Sequence, residues 1–214
     1  MTIEVKICGI KTEEALNSAV NNGAELVGFV FFEKSPRNIS LFDAMELCRK
    51  SKGMVERVGL LVDPENTYIS EVLDKVGIDT IQLHGAESPE RVKEIKTRFK
   101  LPIIKSCPIS CEEDLRLART YETIADRLLF DAKAHSGEPC PGGNARAFDW
   151  RLLAGRHWSC PWILAGGLTC QNVAKAIDIS GAKGVDVSSG VENCHGNKSP
   201  KKIEEFLHGV KNLC

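Results

Sequence analysis

Nowhere in these 214 residues do two cysteines stand in a C-x-x-C pair, although nine cysteines are present. A structural zinc site therefore lacks its usual ligand spacing, and no metal is expected. The odd count and irregular spacing do not suggest a disulfide framework. Reduced thiols are expected instead, most of them acting as small apolar residues. No stretch approaches the roughly 18 apolar residues of a membrane span. The opening "MTIEVKICGIKTEE" is charged early and does not read as a signal peptide, so the cytoplasm is the expected compartment. Neither charge sign is in excess: Lys and Arg total 28 against 29 for Asp and Glu, a net charge of −1. That balance points away from nucleic-acid and anionic-membrane partners. Lys198, Lys201 and Lys202 read as the solvated face of a final helix. No G-x-G-x-x-G follows the first strand, which weakens a dinucleotide-binding reading.

What is present is a repeated unit. Short apolar or β-branched runs alternate with helical periodicity. The runs are "EVKICGI", "LVGFVFF", "VERVGLLV", "TIQLHG", "PIIKSC", "DRLLFDA", "WILAGG" and "GVDVSSG". Helix starts fall at Thr12, Ser40, Asp63-Pro64, Ser88-Pro89, Ser110 or Cys111, Thr169 and Ser199-Pro200; glycines at 23, 53, 77 and 181 mark helix ends. Strands alternating with helices imply parallel pairing with both faces covered. Eight such units predict one compact (β/α)8 barrel domain over residues 1–214, with an open doubly wound sheet as the alternative. The sixth crossover is different. It carries a long Gly- and Pro-rich loop, "AKAHSGEPCPGGNARAFDW", with a short helix expected near Phe148 and Cys140 within it.

In such a barrel the active site lies at the C-terminal strand ends. Those ends supply Cys8, the loop 32–37, Asp63, Gln82, His84, Lys105, Cys107, Asp131, Gly166-Gly167 and Ser188-Ser189-Gly190. The last two strands end in small residues that expose backbone N–H groups, a pattern suited to a phosphate cradle. Lys6, two residues before Cys8, faces the same side by strand periodicity, as a structural charge or a tuner of the thiol.

Taken together, "VKICGI", "GFVFFEKSPRNIS", "IQLHG", "LLFDAK", "LAGGL" and "GVDVSSGVE" resemble the phosphoribosylanthranilate isomerase family of tryptophan biosynthesis, over essentially the whole chain. The resemblance implies an Amadori rearrangement of N-(5-phosphoribosyl)anthranilate without metal or organic cofactor. It implies Cys8 as general base and Asp131 as general acid. Cys8 must then be partly thiolate, against a free thiol value of about 8.5, and Asp131 must carry a proton. Arg37 is expected to hold the anthranilate carboxylate by a two-point contact, or else to form a surface ion pair. Gly166, Gly167, Ser188, Ser189 and Gly190 are expected at the phosphate. Asp186 is read as supporting those loops or as purely structural. Gln82 and His84 are read as pocket residues or as structural ones. The partner expected is a small phosphorylated substrate, with the protein a monomer or homodimer.

One segment departs from the family pattern. After the sixth strand the family shows Gly-Gly-Thr-Gly, whereas Gly142-Gly143-Asn144-Ala145 stands here. Two rival readings follow. One is the sister isomerase of histidine biosynthesis, which resembles a pair of carboxylates where this chain has Cys8. The other is a phosphate-ligand binding protein that has lost its chemistry, which the intact Cys8 and Asp131 argue against.

Overall fold

Strands that are apolar on both faces need cover on both faces, and here a closed parallel barrel supplies it. The computed structural model describes residues 2–134, 142 and 147–213. The strands β1 (Glu4–Cys8), β2 (Leu26–Phe31), β3 (Glu56–Leu61), β4 (Thr80–Leu83), β5 (Ile103–Ile109), β6 (Arg127–Ala132), β7 (Trp162–Leu164) and β8 (Gly184–Val187) pair in chain order and close β8 onto β1. The (β/α)8 expectation holds, and closure rules out the open sheet. Lys6 stands opposite Leu26 on one side and Asp186 on the other.

Outside the barrel lie α1 (Glu13–Asn21), α2 (Leu41–Lys50), α3 (Asn66–Val76), α4 (Pro89–Phe99), α5 (Glu112–Arg119), α6 (Val173–Ser180) and α7 (Pro200–Lys211). The side chains of Thr12, Ser40, Ser88 and Ser199 each accept from a backbone N–H in the first turn of their helix, as their positions predict. Two starts fall later than the sequence suggests. Asp63 does not cap α3, because its Oδ1 accepts from Ala86 N at 2.8 Å and ties two loops together. That tie holds Asp63 in the left-handed region at φ 45°. Likewise α6 begins after a turn in which Asn172 Oδ1 accepts from Thr169 N at 2.8 Å. Among the described residues, the sixth crossover carries a single 3-10 turn at Trp150–Leu152, capped by Asp149. Cys140 and residues 143–146 of the departing loop lie outside the described residues.

Strand alternation divides the core. Val5, Ile7, Val27, Phe29, Ile81, Leu83, Leu128 and Phe130 point outward into the layer beneath the helices. Leu26, Val58, Ile104, Leu129 and Ile163 fill the barrel interior, and Cys8, Val30 and Leu60 form a smaller cluster nearer its C-terminal mouth. At the opposite end, Arg127 bridges Glu56 and Glu4 across the barrel floor, at 2.9 and 3.2 Å.

Beyond β8 the chain makes a hairpin that the sequence did not announce, β9 (Glu192–Cys194) with β10 (Asn197–Lys198). It corrects one expectation. Lys198 is not on the solvated face of α7. It sits on the hairpin with its side chain only 2% exposed, whereas Lys201 and Lys202 are exposed on α7 as expected. The reason is Gly196, whose left-handed φ of 82° turns the hairpin so that Lys198 returns towards β1.

The exposed C-cap of α4, Lys100, holds φ 54° without a glycine's freedom. Lys100→Gly will raise stability by about 0.5–1 kcal/mol, read as a higher urea midpoint at unchanged m-value. An unchanged or lower midpoint would show that the cap carries no strain.

Candidate active site

The C-terminal strand ends surround a cavity, open to solvent, whose wall includes Cys8, Arg37, His84, Asp131, Gly166-Gly167 and Ser188-Ser189. Its other side is apolar, with Val30, Phe32, Leu60, Val62 and Leu168. One chamber therefore offers polar groups from β1, β4, β6, β7 and β8 beside a greasy face.

Cys8 ends β1 and is buried, 4% exposed. Gly9 follows at φ 86°, a backbone angle that favours glycine. Beneath Cys8 lies Lys6, fully buried, with Nζ donating to Asp186 Oδ1 at 2.9 Å. The strand register explains the pair, since Lys6 and Asp186 are direct partners across β1 and β8. Gly28 on β2 leaves the space in which thiol and ammonium meet: a Cβ there would lie 2.9 Å from Cys8 Sγ and 3.2 Å from Lys6 Nζ. Burial pushes the Cys8 thiol up, and Lys6 pulls it back while Asp186 opposes. Burial lowers Lys6, but Asp186 and the Cys8 sulfur together outweigh it, so Lys6 is held above its ordinary value and stays charged. Asp186 thus lines the cavity from within the barrel, as one half of this ion pair.

Across the cavity Asp131 accepts from Ala132 N through Oδ1 at 2.8 Å. Its Oδ2 lies 3.5 Å from His84 Nε2. Gln82 is placed behind His84 rather than at the wall. It is fully buried, and its Nε2 is 3.0 Å from His84 Nδ1. Gln82 Oε1 has no hydrogen-bond partner among the described residues. Gly142 presses on this group from the long loop: a Cβ there would strike His84 Nε2 and come within 2.5 Å of Asp131 Oδ2.

Arg37 lines the cavity without being a surface residue; it is 4% exposed. Glu192 grips it at two points, Nε to Oε1 at 2.7 Å and Nη2 to Oε2 at 3.1 Å. Lys198 joins the same carboxylate, Nζ to Oε1 at 2.5 Å, and also donates to Ser188 Oγ at 3.2 Å. Ser188 Oγ in turn donates to the carbonyl of Cys8 at 3.1 Å. Burial would raise Glu192, but Arg37 and Lys198 hold its carboxyl down at about 2. Neither Glu192 nor Lys198 was picked out from the sequence; the readable signal was a Glu directly after "SSGV" and a lysine two residues past a turn glycine.

The glycine ends of β7 approach this site closely. Gly166 has φ 86° and Gly167 φ 61°. A Cβ on Gly166 would lie 2.8 Å from Ala132 N and 3.0 Å from Asp131 Oδ1. Among the described residues, the N–H groups of Gly166 and Gly167 donate to no backbone carbonyl. Ser189 borders both the main cavity and an adjoining recess lined by Gly167, Thr169 and Gly190. Gly190 stands in the recess and not in the main cavity, packed onto the Leu168 carbonyl. Asp63, Lys105 and Cys107 are not brought to the wall. Lys105 is buried against Glu87 at 2.9 Å, and burial pushes Cys107 up to about 12.

This fold and this cleft are those of a (β/α)8-barrel enzyme with a buried thiol and a carboxylate on the wall of one chamber, groups suited to acid–base chemistry. Comparison with known proteins narrows the class. Residues 5–209 match the family model for N-(5'-phosphoribosyl)anthranilate (PRA) isomerase, and the chain belongs to that family. The isomerase of Paramagnetospirillum magneticum is 50% identical over 211 residues, covering 99% of this chain and 98% of that protein. The crystal structure of phosphoribosyl anthranilate isomerase from Thermotoga maritima superposes with a TM-score of 0.88 at 36% identity, covering 99% of this chain and all of that one. A further crystal structure of that enzyme type, in complex with reduced 1-(o-carboxyphenylamino)-1-deoxyribulose 5-phosphate, superposes at 0.84 with 35% identity and the same coverage.

The low value of Glu192 ties stability to pH. Its folded value, about 2, lies below the ordinary 4.5. The contribution is therefore complete above the unfolded value and lost as pH falls through the folded one. The stability lost in Glu192→Gln, measured by urea unfolding, will be largest near neutral pH and will shrink between about pH 4.5 and about pH 2. A difference that stays flat across that range would mean that Glu192 is not held ionised by its two cations.

Proposed function

We propose that this chain isomerises N-(5'-phosphoribosyl)anthranilate to 1-(2-carboxyphenylamino)-1-deoxyribulose 5-phosphate, in tryptophan biosynthesis, by general acid–base catalysis. The observation that carries the reading is that one cavity takes its wall from Cys8, Asp131 and the paired glycines of β7 together. The reaction asks for a proton on the ring oxygen and a proton off the sugar C2. Asp131 protonates the ring oxygen; the C1–O bond breaks and the anilino nitrogen's lone pair forms the iminium. That cation acidifies the C2 hydrogen, which the Cys8 thiolate removes to leave an enolamine. A proton shift from the C2 hydroxyl to C1 then gives the ketone. Proton exchange returns Cys8 and Asp131 to their starting states. The sequence of steps consumes no oxidant and asks for no metal or organic cofactor.

The remaining wall fits the rest of the substrate. The N–H groups of Gly166 and Gly167, which donate to no backbone carbonyl among the described residues, suit the phosphate beside Ser189. Val30, Phe32, Leu60 and Leu168 offer the apolar face that an aromatic ring requires. Arg37, held edge-on by Glu192, suits the ring carboxylate. His84 beside Asp131 suits a role at the acid, with Gln82 orienting its ring. The Ser188 hydroxyl is engaged by Lys198 and the Cys8 carbonyl, which leaves its backbone as its share of the phosphate cradle. Residues 1–214 act in this reading as one domain, in the cytoplasm, on a small phosphorylated substrate, as a monomer or homodimer and without nucleic acid or membrane. No helix among the described residues is long and apolar enough to cross a membrane.

Loss of anthranilate-type fluorescence from freshly generated substrate tests the reading. Cys8→Ser and Asp131→Asn will each lower kcat by about 10²–10⁴-fold while the circular dichroism spectrum stays unchanged. Wild-type turnover in either folded variant would remove that residue from the chemistry. Arg37→Ala will chiefly raise KM, about tenfold or more, because it deletes a charge-assisted contact present in ground and transition states alike; an unchanged KM would place the carboxylate elsewhere.

A further inference from the structure

The hairpin after β8 brings a second buried ammonium to the back of Cys8. Lys198 Nζ lies where a Cβ on Gly9 would be 3.2 Å away, so the charge rests against the residue that directly follows the thiol. It also reaches the Cys8 carbonyl through one hydroxyl, at 3.2 Å to Ser188 Oγ and 3.1 Å onward. Two cations divide the charge of Glu192, Arg37 at two points and Lys198 at one. Lys6, by contrast, has Asp186 to itself among the described contacts. A nearby opposite charge favours the ionised form of a thiol.

We propose that Lys198 is a positioning residue for Cys8: held by Glu192 and Ser188, it supplies a second cation, beside Lys6, that makes the buried thiol easier to ionise in the working pH range. The proposal rests on the reading of Cys8 as the general base, which gives the thiolate its use. The groups that face Cys8 are Lys6 on β1 and Asp186 on β8, Lys198 and Glu192 on the hairpin, Arg37 before α2, and His84 and Asp131 across the cavity. Lys6 pulls the thiol down and Asp186 partly opposes it. The hairpin cation adds a second pull towards thiolate, against the burial that favours the thiol. Burial of Lys198 lowers its own value, which Glu192 counters, so the same carboxylate keeps the ammonium charged and in place. Burial raises the thiol, and Lys198 is, after Lys6, the second cation pulling it down.

The pH dependence of Cys8 carbamidomethylation by iodoacetamide, followed by mass spectrometry of the Cys8 peptide, reads the thiolate without any turnover. Measured beside the pH profile of kcat/KM, it separates this proposal from the one beneath it. In Lys198→Met, Cys8 modification near neutral pH will slow by about threefold or more, with the midpoint moved to higher pH and the alkaline plateau kept. Lys198→Arg will recover most of the loss. Lys198→Gln, which keeps a polar side chain without the charge, will move the midpoint the same way as Lys198→Met, and it decides the question if Lys198→Met does not fold. A Cys8 midpoint that stays at the wild-type value in the folded variants overturns the proposal. A midpoint that moves while the kcat/KM profile does not would uphold it and instead remove Cys8 from the role of base.

Discussion

A charge inside an apolar barrel has no water to fall back on, and the Lys6–Asp186 pair obeys that constraint at the point where the barrel closes. Lys6 belongs to the first strand and Asp186 to the last; they are register partners, and neither ion is tolerable there without the other. Closure of β8 onto β1 therefore satisfies the backbone ladder and neutralises the buried lysine in one step. The site depends on the same seam. Cys8 stands two residues above Lys6, and Ser188 two residues above Asp186. The space above Gly28 lets the thiol share the cavity of the ammonium. A side chain at residue 28 would force one of them aside.

Two further buried carboxylates organise the rim on the same principle. Glu87 accepts from the N–H groups of Asp63 and Gly85 and pairs with Lys105, which also donates to the Gly85 carbonyl. That knot ties the β3 and β4 loops together and sets the backbone beside His84. On the opposite rim Glu192 gathers Arg37, Lys198 and the N–H of Gly196. Each carboxylate has several donors, which is how a buried anion stays ionised. Such clusters contribute little net stability against apolar packing, since desolvation consumes much of the Coulombic gain. What they contribute is fixed geometry at a cavity wall, where a lone long side chain would wander.

Most of the architecture was legible in the chain, because its signals are local. Apolar runs of six to eight residues, Ser or Thr ahead of a helical period and glycine after it are short-range physics, and all eight strands fell where the runs lie. Cys8, Asp131 and the glycine pair were legible for a related reason: polar or small residues at the ends of apolar strands are out of place unless they face a cavity. What was not legible depends on contacts far apart in sequence. Lys198 looked like one more lysine ahead of an amphipathic helix, and only the turn at Gly196 sends it inward. Gln82 looked like a wall residue, yet strand alternation places it one layer below His84. Asp63 looked like a helix cap until the β4 loop claimed its carboxylate. Arg37 was legible as a pocket residue, but not its two-point clamp by a glutamate 155 positions away.

These separations bear on when the site comes into being. Lys6 to Asp186 and Cys8 to Ser188 each span 180 residues, and Arg37 to Glu192 spans 155. The entropy of closing such loops must be met before any of these contacts returns a gain, whereas the βα units form from neighbours. An unclosed barrel would hold Lys6 in an apolar channel without its counterion and Arg37 without its clamp, so a partly closed state is penalised twice. Seam, ion pair and clamp thus stand or fall together. The acid side, by contrast, uses β4 and β6, which the middle of the chain supplies. The thiol side, built from both ends of the chain, is the half whose chemistry reports that the fold is complete.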